Sequence, residues 1–163
     1  MLCGLSTLSC SAMSRFGQAE VTRVHGQPCF AIPDEPRTRL EAMRLFSISV
    51  SEAQRANWDR LPTELWGFSV EPPGHPIGAG AQNCVRYGEV LPSGKPRREP
   101  APLRLYQVYA VEIDARPANR ASSTLGYKAE FCLKRGDEGR IAVEVVPWDE
   151  TAKRWRYERC AAP

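Results

Sequence analysis

Six cysteines and two histidines are the side chains of this 163-residue chain with the widest choice of chemistry: nucleophile, metal ligand or cross-link. Their spacing narrows that choice quickly. There is no Cys-x-x-Cys pair and no His-Glu-x-x-His helix, so neither a structural nor a catalytic zinc site is expected. His25 and His75 are far apart in sequence and each stands beside a glycine, which reads as two turn residues. No Gly-x-Ser-x-Gly elbow presents a nucleophile. The run Gly78-Ala79-Gly80-Ala81-Gln82-Asn83 imitates a dinucleotide loop, but it lacks the third glycine and the strand–loop–helix context, and reads as a connector. Asp34/Glu35 and Asp149/Glu150 follow Pro33 and Pro147 closely and are adjacent in sequence. They offer solvated charge rather than the opposed carboxylates of glycoside hydrolysis. No catalytic residue, metal or cofactor is therefore expected.

The cysteines make more sense once the elements that carry them are drawn. Alternating segments read as strands at Glu20–Val24, Pro28–Ile32, Leu45–Val50, Leu65–Val70, Cys84–Tyr87, Tyr106–Ile113, Tyr127–Lys134, Arg140–Val146 and Trp155–Cys160. His25-Gly26-Gln27 links the first two, and Gly136–Gly139 is a tight turn. Glu52–Leu61 reads as a short helix stopped by Pro62. Many short strands at regular spacing predict an all-β fold: an antiparallel β-sandwich, immunoglobulin-like, of about eight strands. Its expected core includes Phe30, Phe46, Ile48, Trp66, Phe68, Tyr109, Phe131, Val143, Val145 and Trp155.

Along a strand, alternate side chains face opposite sides. Cys29, Cys84, Cys132 and Cys160 all fall on the polar parity of their strands, among Lys128, Glu130, Lys134, Arg86 and Glu158. Free thiols are usually buried, so four on a wet face are better understood as two disulfides between neighbouring strands. Three pairings are open, of which Cys29–Cys84 with Cys132–Cys160 is favoured. Disulfides imply an oxidising compartment.

The bulk properties agree with one soluble domain. The chain is 42% hydrophobic and 25% charged, with a net charge of +3. That balance is far from a polybasic arm. Lys153, Arg154, Arg156 and Arg159 do interleave with Trp155 and Tyr157, a pattern that could stack bases and hold phosphates. A strand that buries its aromatics and solvates its charges gives the same pattern, so no nucleic-acid partner is expected. Residues 19–163 form the expected domain. Residues 1–18 form a signal-like segment and tether, in which Thr7-Leu8-Ser9-Cys10 resembles a degenerate lipoprotein cleavage box with Cys10 as the lipidated residue. Nine residues before Cys10 are too few for a working signal. The expectation is a start placed too late or a damaged signal; the competing reading is a tail with two incidental cysteines, Cys3 and Cys10.

The segments GQPCFAIPDE, LFSISV, LWGFSVEPPG, NCVRYGEVLPSG, YQVYAVEIDARP, GYKAEFCLKRGDEG and VVPWDETAKRWRYERC resemble the type VI secretion system immunity periplasmic lipoprotein family. The likeness runs from about Glu20 to Cys160, and its Pro-Cys-Phe, Ala-Glu-Phe-Cys and Val-Pro-Trp-Asp markers include no catalytic signature. It implies a periplasmic protein, anchored to a membrane by lipid on Cys10, that binds and neutralises a cognate toxic effector without chemistry of its own. The box departs from the family pattern at Thr7 and Leu8. The Pro- and Gly-rich stretches Glu71–Asn83 and Leu91–Pro102 are the expected contact loops. Two other readings are a periplasmic or cell-surface immunoglobulin-like module for a small ligand or envelope glycan, and a small hydrolase.

Overall fold

Alternation along the chain resolves into two facing sheets. The computed structural model describes residues 16–53, 61–118, 126–136 and 139–163; Cys3, Cys10 and most of the expected helix at Glu52–Leu61 lie outside them. Among the described residues the strands are β1 (Phe16–Gln18), β2 (Glu20–Val24), β3 (Gln27–Ala31), β4 (Met43–Glu52), β5 (Glu64–Val70), β6 (His75–Ile77), β7 (Val85–Arg86), β8 (Gly94–Arg98), β9 (Val108–Pro117), β10 (Gly126–Arg135), β11 (Ile141–Val146), β12 (Trp148–Asp149) and β13 (Arg154–Trp155). One helical turn, α1 (Pro36–Leu40), precedes β4. The large sheet has the order β1-β10-β9-β4-β5-β8, with β11 also on β10 and β6 also on β4. A second sheet, β2-β3-β7, lies across it. The fold is an all-β sandwich. Among the described residues its strands pair antiparallel except for β1, which runs parallel to the first residues of β10, and an isolated parallel bridge joins Leu105 to Leu133.

The inward parities make one core. Ile48, Val50, Trp66, Phe68, Val111, Ile113, Ala129 and Phe131 from the large sheet meet Phe30, Ile32 and Val85 from the small one. Phe30 is the keystone, with ring centroids 5.3 Å from Phe131 and 6.2 Å from Trp66. Large aromatic side chains bury the most area per residue, so this contact carries much of the cohesion between the sheets. The His25-Gly26 turn has positive φ at both residues, 48° and 84°, as a two-residue hairpin that matches strand twist requires.

Three expectations are corrected by register. Phe46 is not in the core. The β4–β9 ladder slips between Leu45 and Ser47, so a bulge at Phe46 shifts the alternation and buries Leu45 and Ile48 on either side. Phe46 turns outward, with the Arg116 guanidinium 5.6 Å from its ring. The expected last strand, Trp155–Cys160, is a two-residue strand followed by a 3-10 turn at Tyr157–Cys160. That turn folds over the outer side of β10. There Val108, Cys132, Val146 and Cys160 form a second small core, joined by Trp155 and Tyr157. Finally, His75 is no turn residue: it opens β6, opposite Leu45.

Candidate interaction surface

The second core changes the reading of the cysteines. Cys132 is on the parity of Lys128 and Lys134, yet it is fully buried because the C-terminal turn covers it. Cys29 and Cys160 are buried as well, so the supposed wet face is dry at three of the four positions. The bonds join Cys29 to Cys84, with Cα atoms 5.4 Å apart, and Cys132 to Cys160, 6.0 Å apart. The first fastens the segment before β7 to β3. The second fastens the chain end to the middle of β10. Two such bonds point to an oxidising, non-cytoplasmic compartment.

The second bond also clamps the base of an exposed hairpin. In β12–β13 Trp148 stands directly opposite Trp155, their rings edge to face at 5.4 Å. Four residues close the loop. The Asp149 carboxylate accepts the N–H groups of Thr151 at 3.0 Å and Ala152 at 2.8 Å, and those bonds hold its pKa below the usual carboxylate range. Lys153 turns the chain with φ of 50° and reaches back to Glu150 at 2.9 Å. At the base, the Arg156 N–H donates to the Pro147 carbonyl at 3.0 Å. Trp155 is held against the second core while Trp148 remains 41% exposed. The hairpin is a pre-shaped projection that carries an accessible indole among charged neighbours. The basic residues around it are engaged with carboxylates: Arg156 with Glu158 at 3.0 Å, and Arg159 with Glu144.

The expected contact loops are more ordered than their composition suggests. Glu71–Asn83 contains the three-residue β6, and Leu91–Pro102 the five-residue β8, so each stretch is part sheet edge and part loop. They are tied to each other: Lys95 pairs with Glu71, and His75 Nδ1 lies 3.0 Å from Ser93 Oγ. Lys95 holds the Glu71 carboxyl below its ordinary pKa. Arg97 bridges back to Glu64 at 3.0 Å across Gly67, where a Cβ would come within 2.8 Å of the Glu64 carboxylate. The Ser93–His75 contact is the arrangement closest to nucleophilic chemistry. It lies exposed at a sheet edge.

The remaining acids have structural work. Asp34 pairs with Arg39 at 2.6 Å, and Glu35 caps α1 in a reciprocal box with Thr38. A groove of about 590 Å³ lies between α1 and residues 76–82, lined by Asp34, Arg39, Glu41, Met43, Ile77 and Gln82 among others. Thr38, in its floor, donates to the Pro33 and Glu35 carbonyls, so its hydroxyl is committed to the fold. Among the described residues no three His, Cys, Asp or Glu side chains come together as a metal site, and no helix is long and apolar enough to cross a membrane. Comparison with protein-family models, with curated proteins and with solved structures finds no match to this chain.

Proposed function

We propose that this chain is a non-catalytic immunity protein, held at a periplasmic membrane by lipid on Cys10, that binds and neutralises a toxic effector delivered by a type VI secretion system. The observation that carries the reading is the clamped β12–β13 hairpin, an exposed Trp148 on a projection fixed before any partner arrives. Tryptophan and arginine dominate the energetics of protein interfaces, and a surface already in its bound shape loses little entropy on association. The two disulfides support export to an oxidising compartment, and the family resemblance supplies the class of partner.

The direct test seeks a toxin gene beside this one and expresses its product in the periplasm, with and without this protein. Growth restored by the wild-type chain supports the reading; unchanged killing at verified periplasmic expression defeats it. If Trp148 is an interface anchor, Trp148→Ala weakens the complex by about 2 kcal/mol or more, roughly 30-fold in Kd. The groove beside α1 favours a second reading, a module for a small polar ligand or an envelope glycan fragment. Saturable binding of muropeptides, abolished by substitutions at Arg39 and Gln82, would favour that reading instead.

A further inference from the structure

Strand β11 leaves an edge of the large sheet open. Among the described residues it pairs with β10 and with no other strand. The direction of its backbone groups follows from bonds on β10. The Leu133 carbonyl accepts the Tyr106 N–H at 2.7 Å, on the side away from β11, and the Lys128 carbonyl accepts the Ala19 N–H at 2.9 Å on the other side. Backbone groups alternate in direction along a strand, so Cys132 and Lys134 face β11 and exchange bonds with Glu144 and Ala142. Ile141, Val143 and Val145 then send their N–H and C=O groups outward, where no described residue meets them. The strand's inner face is covered, since Val143 packs on the same core as Val21 of β2. Its edge is not.

Sheet edges are normally blunted by charge, proline or shortness. Here β8 carries Lys95, Pro96, Arg97 and Arg98, β6 carries Pro76, and β1 has three residues. By contrast β11 reads IAVEVV, with Ile141 39% exposed and its one charge, Glu144, engaged by Arg159 of the same chain. We propose that this edge pairs with itself: two copies join β11 to β11, antiparallel, about a twofold axis at Val143. Ile141 then stands opposite Val145 of the second copy and Val143 opposite Val143, each opposed pair exchanging two hydrogen bonds. All the outward groups are satisfied, and β-branched side chains suit such a ladder. Sliding the register by two residues would set Val145 against Gly139, a turn residue with φ of 74°. On the outer face Ala142 stands opposite Glu144 of the second copy, and Arg140 lies diagonal to that carboxylate, within reach of a long side chain. The charges are therefore complementary across the axis. The pairing needs neither Cys10 nor Trp148, so it is independent of the proposed function. Six residues span about 20 Å, which gives a small interface and an association in the micromolar range.

Sedimentation equilibrium of the oxidised full chain, from micromolar to near-millimolar concentration, should give a monomer–dimer equilibrium. Amide exchange followed by NMR at both extremes tests the register. The N–H groups of Ile141, Val143 and Val145 should become protected only as the dimer forms, whereas those of Ala142 and Glu144, bonded to β10, are protected throughout. Val143→Pro removes an N–H that β10 does not use, and should raise the dissociation constant about tenfold or more. Ala142→Lys should tighten the dimer and Ala142→Glu loosen it, each about threefold. Within one chain Ala142 lies opposite Lys134, so the same two substitutions shift folding stability in the opposite sense. Thermal melts therefore separate pairing from folding, even if Val143→Pro fails to fold. A chain that stays monomeric over the whole range overturns the proposal. So does a dimer in which the three outward amides exchange as in the monomer, or one that responds with the same sign to both Ala142 variants.

Discussion

Removing the Cys132–Cys160 bond with Cys132→Ala and Cys160→Ala probes both the C-terminal clamp and the compartment. The bond closes a 28-residue separation, for which restriction of the unfolded chain gives about 3.6 kcal/mol; the 55-residue separation of Cys29–Cys84 gives about 4.2 kcal/mol. The two sites differ in packing. Cys132 and Cys160 are buried with Val108 and Val146, whereas Cys84 is half-exposed. Alanine at 132 and 160 therefore also forfeits sulfur packing, which brings the second double variant level with the first or beyond it. Together the bonds contribute about 8 kcal/mol, comparable with the 5–15 kcal/mol that an ordinary domain has in total. The reduced chain is thus at the edge of folding. Guanidinium titration with far-UV detection gives the global loss, and fluorescence in a Trp58→Phe, Trp66→Phe background, which leaves Trp148 and Trp155 as the emitters, reports the hairpin separately. The expected result is a loss of about 3–4 kcal/mol for each double variant, with the tryptophan signal of the Cys132/Cys160 variant moving at lower denaturant. Losses below about 1 kcal/mol for both would refute the stapling argument and the inference of an oxidising compartment that rests on it.

Three further outcomes are expected. Trp66 is fully buried, and its Nε1 has no hydrogen-bond partner among the described residues; Trp66→Phe removes that unsatisfied donor and should cost under about 1.5 kcal/mol by thermal melt, against about 3–5 kcal/mol for Trp66→Ala. Burial pushes the Tyr87 phenol up to about 12 while its hydroxyl donates to the Ala101 carbonyl at 2.7 Å. Because the folded value is the higher one, this contribution is complete below about pH 10 and is lost as pH climbs through 12, so Tyr87→Phe should flatten the alkaline fall in stability. The Asp149 pKa is lowered by the loop N–H groups, so its contribution is present above the unfolded value and lost as pH falls through the folded one; acid titration should loosen the tryptophan pair before the sandwich opens, and Asp149→Ala should leave that pair loosened at neutral pH.

Much of the sandwich was legible because its central strands alternate cleanly. Phe131, Tyr109, Trp66 and Phe68 needed only a period of two. What escaped was set by partners distant in sequence. The bulge at Phe46 is imposed by pairing with β9, and nothing within LFSISV marks it. Edge strands β6 and β8 contain Pro76 and Pro96 with Lys95, Arg97 and Arg98, a composition that reads as loop because an edge tolerates proline and is protected by charge. Parity puts the cysteines on the polar side of their strands, but it gives the side of a sheet, not what covers it; over Cys132 the cover is the chain's own C-terminal turn. The helical turn α1 was signalled by Glu35 before Pro36, a cap followed by proline at the first helical position, although so short an element is hard to see. The tryptophan hairpin has its signal in Trp148 and Trp155 flanking a polar run, which local alternation alone divides between a turn and a strand.

Neutralisation itself is measured most directly with purified components. A candidate effector, sought as a toxin encoded beside this gene, is titrated with the oxidised protein while its activity and the heat of binding are followed together. The account predicts a saturable complex in which toxin activity falls to background at the stoichiometric point, with Trp148→Ala shifting the titration to roughly 30-fold higher concentration. Full toxin activity in the presence of a large excess of folded, disulfide-bonded protein would contradict it.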